Sequence, residues 1–142
     1  MKKLQPQAVD FAQIQRFLAS AGKKLATARK TLEIDEEASY QLAYEAMLKG
    51  SLGLMLSHGV RPRSLPGHHV TIIEFAEKHL GERFRGMVTM FDRMRRKRHQ
   101  AIYDVNGFIT KLEAEQALET ARKYLVVIRG EIDQKNPQAR LA

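Results

Sequence analysis

The sequence predicts an all-α fold, an antiparallel bundle of four to five helices with no strand and no membrane span. Three observations carry that prediction. Two long segments repeat apolar residues at alternating three- and four-residue spacings, residues suited to capping stand at helix starts, and all four prolines fall between or outside the periodic segments.

The first segment is expected to be helical from about Ala8 to Thr31. Phe11, Ile14, Leu18, Ala21, Leu25, Ala28 and Leu32 form its stripe, a heptad pattern sustained for about three repeats. Gly22 interrupts it and is read as a place where a neighbouring helix approaches closely. Asp35 is the N-cap of the second helix, with Glu36 and Glu37 in the first turn, where the helix dipole favours negative charge. That helix runs to Ser57 and closes at His58-Gly59. Leu42, Ala46, Leu52 and Leu56 give one stripe, and Tyr40, Tyr44, Met47, Leu48, Leu54 and Met55 widen it to most of the circumference. A helix apolar nearly all round is either the centre of a bundle or part of a dimer interface.

The stretch from Gly59 to Gly67 holds two prolines and two glycines and is read as a loop. A third helix follows from about His68 to Leu80, with Val70, Ile73 and Ala76 inward and Gly81 as its stop. The fourth spans roughly Glu82 to Asp104, and Asn106-Gly107 marks a turn. Thr110-Lys111-Leu112-Glu113 is a capping box that opens the fifth helix, whose Ala114, Leu118, Ala121, Leu125, Ile128 and Ile132 repeat the heptad spacing. The whole chain, 1–142, is read as one domain with its core at about 8–133 and a frayed tail over 134–142.

The net charge of +8 favours an anionic partner, RNA or DNA above all, although a protein can simply be basic. With no cysteine, disulfides and thiolate chemistry are excluded, which suits a cytoplasmic location. The basic start Met1-Lys2-Lys3 is followed by no apolar run of the kind a signal peptide carries. His58, His68, His69 and His79 lack the spacing of metal ligands and are read as surface or capping residues. Neither a metal nor a cofactor is expected.

One local anomaly stands out. Arg93, Arg95, Arg96, Lys97 and Arg98 put five positive charges into six positions. Four of them suit a solvated, nucleic-acid-facing surface. Arg98 differs: at about 100° per residue it falls amid the stripe of Phe84, Met87, Phe91, Met94, Ile102 and Val105. A guanidinium cannot shed its charge, so against a core it needs a partner. Either it pairs with a buried carboxylate or snorkels to the edge, or it floors a cleft that receives a phosphate, for which its planar fork is suited. Arg95, His99 and Tyr103, spaced by four, form a ridge beside it.

Arg98-His99-Gln100-Ala101-Ile102-Tyr103-Asp104, late in a fourth helix, resembles the signature of the HEPN superfamily. Its members carry an arginine, a polar residue directly after it, and a histidine four to six residues beyond the arginine. The layout from Phe11 to Ile132 is similar as well. So are the first helix around Phe17-Leu18-Ala19-Ser20-Ala21, the tyrosine-bearing second helix and the entry through Gly67-His68-His69-Val70. The resemblance implies a homodimeric bundle whose arginine motifs face a shared cleft. It implies RNA or a nucleotide as ligand and metal-independent RNA cleavage in toxin–antitoxin or defence systems. The alternative it carries is a non-catalytic module that pairs with a protein such as a cognate antitoxin or a nucleotidyltransferase. Arg98 matches the arginine and His99 the polar neighbour, while Tyr103 stands where histidine is expected. Tyrosine, with a pKa near 10, is a poor base at neutral pH, so His99 becomes the base of a cleavage reaction and Arg98 the stabiliser of developing charge. Arg93 with His99 also gives a five-residue gap, but it leaves Met94 as the neighbour, and the Arg98 register fits better.

Overall fold

The computed structural model describes residues 3–64, 67–105 and 107–136. The elements run β1 (Leu4–Pro6), α1 (Phe11–Thr31), α2 (Glu36–Ser57), β2 (Val60–Pro62), α3 (His68–Leu80), a 3-10 turn (Glu82–Phe84), α4 (Arg85–Tyr103) and α5 (Lys111–Asp133). Five helices pack as a bundle, as the periodicity predicts. Among the described residues no helix is long and apolar enough to cross a membrane.

α2 is the central helix. It packs most extensively against α1 and α5 and also meets α3 and α4, which decides between the two readings of its all-round apolar surface. Tyr40, Ala43, Tyr44, Met47, Leu54 and Met55 are all buried along it. Ser39 Oγ donates to the Ala28 carbonyl at 2.7 Å and locks α1 to α2. At the other face the Ser51 and Tyr124 hydroxyls share a 2.6 Å hydrogen bond, which satisfies a fully buried phenol on α5.

The helix starts follow local chemistry. Asp10 accepts from the amides of Ala12 and Gln13, so α1 opens at Phe11 rather than near Ala8. Asp35 accepts from Ala38 N at 3.0 Å. Thr110 and Glu113 form the reciprocal capping box at α5. α4 opens later than the sequence suggests: Gly81, with φ of +79°, turns the chain, and Glu82–Phe84 makes a 3-10 turn before the helix runs from Arg85 to Tyr103.

Two expectations are corrected. The first is the absence of strands. Leu4–Pro6 pairs antiparallel with Val60–Pro62, Leu4 opposite Pro62 and Pro6 opposite Val60. The prolines bar helix in both segments, and Gly59, with φ of +75°, reverses the chain off α2 so that its carbonyl accepts from Gln7 N at 2.9 Å. The second is the place of close helix approach. Gly22 has open space around it, whereas a Cβ at Gly53 would touch Ile132, Leu18 and Phe17. Gly53 on α2 therefore lies in contact with both α1 and α5, and a Cβ at Gly50, one turn earlier, would stand only 2.6 Å from Leu125 of α5. The turn expected at Asn106-Gly107 falls partly, and the frayed tail mostly, outside the described residues.

His58 ends α2 and stacks against His79, ring centroids 4.4 Å apart, while His79 lies on the Phe75 ring at 4.0 Å. Burial pushes the His58 pKa down to about 4, helped by the nearby Lys135 and His79 charges. The unfolded imidazole titrates near 6.5, so folding favours the neutral form. This contribution to stability is complete above pH ~6.5 and is lost progressively as pH falls toward 4. Urea midpoints should drop between pH 7.5 and 5.0, and His58→Gln should flatten that drop; an unchanged slope in the variant would refute the assignment.

The two glycines give a paired prediction. Gly22→Ala should stabilise by about 1 kcal/mol, because nothing opposes the gain in helix propensity. Gly53→Leu should destabilise by about 1–3 kcal/mol through overpacking. Urea unfolding of both variants checks the signs.

Candidate functional site

α4 turns Val88, Phe91 and Met94 into the core, with Met87, Met90 and Ala101 packed at its margins. The stripe read from the sequence does not continue past Arg98 as buried surface. Ile102 is 44% exposed, and Val105, just beyond the helix, is fully exposed. Arg98 thus marks the point where the apolar face of α4 leaves the bundle, not the middle of a covered face.

Its surroundings are specific. The guanidinium carbon lies 5.7 Å from the centroid of the Tyr44 ring on α2, within cation–π range. Arg98 Nε is buried and has no hydrogen-bond partner. Among the described residues no carboxylate forms an ion pair with it. The Tyr44 hydroxyl is 2.9 Å from Nδ1 of His69 on α3, and the Tyr44 ring also packs against Phe91, centroids 5.6 Å apart. Three helices therefore meet at one side chain.

The electrostatics follow from that meeting. Burial raises the Tyr44 pKa well above that of a free phenol, opposed by the Arg98 and Arg95 charges. The phenol keeps its proton and shares a hydrogen bond with His69 Nδ1, which leaves Nε2 as the ring's other polar atom. His69 is held below its ordinary pKa, first by burial and then by the positive charges of His68, Arg98 and Arg95.

The other sequence-derived residues divide into groups. Asp92 takes both Arg95 Nε at 3.0 Å and Arg96 Nε at 3.4 Å. Lys97 reaches Glu113 at 3.3 Å and ties α4 to the start of α5. Arg93 is exposed and lines an open groove of about 470 Å³ between α4 and α5 with Thr89, Gln116, Glu119 and Lys123. His99 and Tyr103 lie ring against ring at a 44° tilt, centroids 4.6 Å apart, and both are exposed, Tyr103 by 75%. The expected ridge of Arg95, His99 and Tyr103 is thus divided: Arg95 is held inward by Asp92 beside Tyr44 and His69, while His99 and Tyr103 share the outer surface. Tyr44 and His69 are the residues that sequence reasoning missed. One signal was present: a tyrosine inside an otherwise apolar, all-round buried helix needs a polar partner for its hydroxyl.

The chain is a five-helix bundle in which, among the described residues, no carboxylate pairs with the arginine where the apolar face of α4 leaves the core. The chain belongs to the HEPN domain family, whose model matches residues 14–130. The fold is similar to that of TT1696 from Thermus thermophilus, seen in a crystal structure, with a TM-score of 0.66 at 19% sequence identity; the match covers 84% of this chain and 98% of that one. No curated protein matches the chain.

The unsatisfied Nε makes a stability prediction. Arg98→Met keeps the aliphatic stem over Tyr44 and removes the orphaned donor, so the thermal midpoint should stay level or rise. A fall of more than about 1 kcal/mol would show that the guanidinium is held for stability.

Proposed function

We propose that this HEPN protein binds RNA through a backbone phosphate seated at Arg98, in a homodimer. The observation that carries the reading is the half-buried guanidinium whose Nε has no partner and whose charge no described carboxylate neutralises. Stability does not explain such a group, and an incoming phosphate supplies the acceptor it lacks. The net charge of +8 draws a polyanion to the surface, where exposed Arg93, Arg96 and Lys123 extend the positive field. Ile102, Tyr103, Val105, Phe108 and Leu112 are exposed apolar side chains in the stretch of chain that follows Arg98, and a second protomer is the occupant that suits them and a shared arginine cleft.

Metal-independent cleavage in a toxin–antitoxin or defence setting is the fuller form of this reading, with Arg98 stabilising the charge on the phosphate and His99 as the base. The second reading is a non-catalytic module beside an antitoxin or a nucleotidyltransferase. It is favoured by Tyr103 at the position where the superfamily carries histidine and by the outward placement of His99.

Fluorescence anisotropy with labelled RNA tests the binding. Arg98→Ala should weaken it about tenfold, equivalent to ~1.4 kcal/mol, whereas Arg96→Ala should change it about twofold through the general field. Wild-type affinity in Arg98→Ala would overturn the proposal. Incubation with RNA in EDTA separates the two forms: cutting lost in Arg98→Ala and His99→Ala supports the nuclease, and binding without cutting supports the module.

A further inference from the structure

The imidazole of His69 stands at the start of α3 and meets the same tyrosine that carries the arginine. Tyr44 spans the two: its ring centroid lies 5.8 Å from that of His69 and 5.7 Å from the Arg98 guanidinium carbon. Its hydroxyl fixes His69 Nδ1 at 2.9 Å. With Nδ1 occupied by Tyr44, the ring nitrogen left over is Nε2, which becomes an N–H donor in the imidazolium whichever tautomer precedes it. A permanent cation and a titratable imidazole therefore flank one buried phenol.

We propose that His69 is the second phosphate ligand of the Arg98 site, and that it takes up a proton when an RNA phosphodiester is bound, so that affinity rises as pH falls. The inference rests on Arg98 being a phosphate site and names a ligand residue from a helix that the superfamily signature does not include.

The charged and titratable groups around His69 come from three helices: Tyr44 from α2, His68 from α3, and Arg95 and Arg98 from α4, with Asp92 paired to Arg95. In the free protein the cations among them, added to burial, oppose a charge on the imidazole. A phosphodiester monoanion placed between Arg98 and Nε2 offsets those cations and rewards the imidazolium. The proton comes from solvent, and no covalent bond changes. In the imidazolium both ring nitrogens carry hydrogen, so Nδ1 donates to the Tyr44 oxygen and Nε2 to the phosphate. Because binding raises the proton affinity of His69, protonation raises the affinity for phosphate by the same factor.

A short 2′-O-methyl oligouridine without terminal phosphates is the probe, since it resists cleavage at the 2′ position and does not titrate between pH 5.5 and 7.5. For the wild type, Kd should fall about three- to tenfold from pH 7.5 to pH 5.5, tenfold being the limit set by a pKa rise of about one unit. His69→Gln keeps a donor but does not titrate, so its Kd should change less than about twofold. Tyr44→Phe should weaken the pH dependence while leaving Arg98 its aromatic ring. The remote His58→Gln and His79→Gln should retain the wild-type response. A flat profile in one of these in place of His69→Gln would overturn the assignment. NMR titration of the His69 Cε1–H in the wild type guards against misfolded variants: its pKa must rise on saturation with the oligonucleotide, and an unmoved value refutes the proposal. Arg98-dependent binding with a pH response untouched by His69→Gln would sink this inference alone. No binding by the wild type would sink the Arg98 reading and this one together.

Discussion

Arg98 is positioned where two opposing energies nearly cancel. A partly desolvated cation over the Tyr44 ring gains about 1–2 kcal/mol, and a buried donor without a partner costs about 1–3 kcal/mol. The net stabilisation is close to zero, so the side chain is not explained by what it does for the fold. The constraint is maintained by the bundle nonetheless. Phe91 on α4 packs on the Tyr44 ring, and Tyr44 is immobilised in the central helix, so the guanidinium rests on a surface that the whole core holds rigid.

The bundle also explains why the site is polar at only one end. α2 is enclosed by α1 and α5 along most of its length, and small residues such as Ala43, Ala46, Gly50 and Gly53 let those helices approach. Where enclosure is complete, buried hydroxyls are satisfied internally, as Ser51 and Tyr124 satisfy each other. α3 and α4 cover the remaining side of α2, and there the Tyr44 hydroxyl finds His69, a group that still has a second ring nitrogen to offer a ligand. A phenol satisfied by another hydroxyl closes a core; a phenol satisfied by an imidazole passes its orientation on to a second polar atom.

Much of the fold was legible because its signals are local. Asp35, Thr110 with Glu113, and Gly81 each act within a few residues of themselves, and the structure uses each as its chemistry suggests. The failures are all questions of distance along the chain. Leu4–Pro6 finds its strand partner more than fifty residues away, and no periodicity within either segment announces it. The α4 stripe was right about direction and wrong about extent. Spacing identifies which face of a helix is apolar, but the reach of neighbouring helices decides how much of that face is covered, and Ile102 and Val105 lie beyond that reach. Arg98 stood out because a charge inside an apolar pattern is visible in one helix. Tyr44 and His69 did not, because their relation to it exists only across three helices.

The basic run in α4 shows how one charge cluster serves two purposes. Asp92 binds Arg95 and Arg96 along the helix, and Glu113 draws Lys97 to the start of α5. These pairs are at least a quarter exposed and each adds little to stability. Their larger consequence is distribution. Three of the five cations already have a carboxylate within reach, which lowers their appetite for a further anion, while Arg98 has an aromatic face and Arg93 an open groove. The two carboxylates therefore turn a diffuse positive surface into a graded one, in which Arg93 and Arg98 carry no such pairing among the described residues. Electrostatic attraction to a polyanion depends on the sum of the run; within it, Arg98 is set apart by the aromatic face beneath its guanidinium and by a buried Nε without a hydrogen-bond partner.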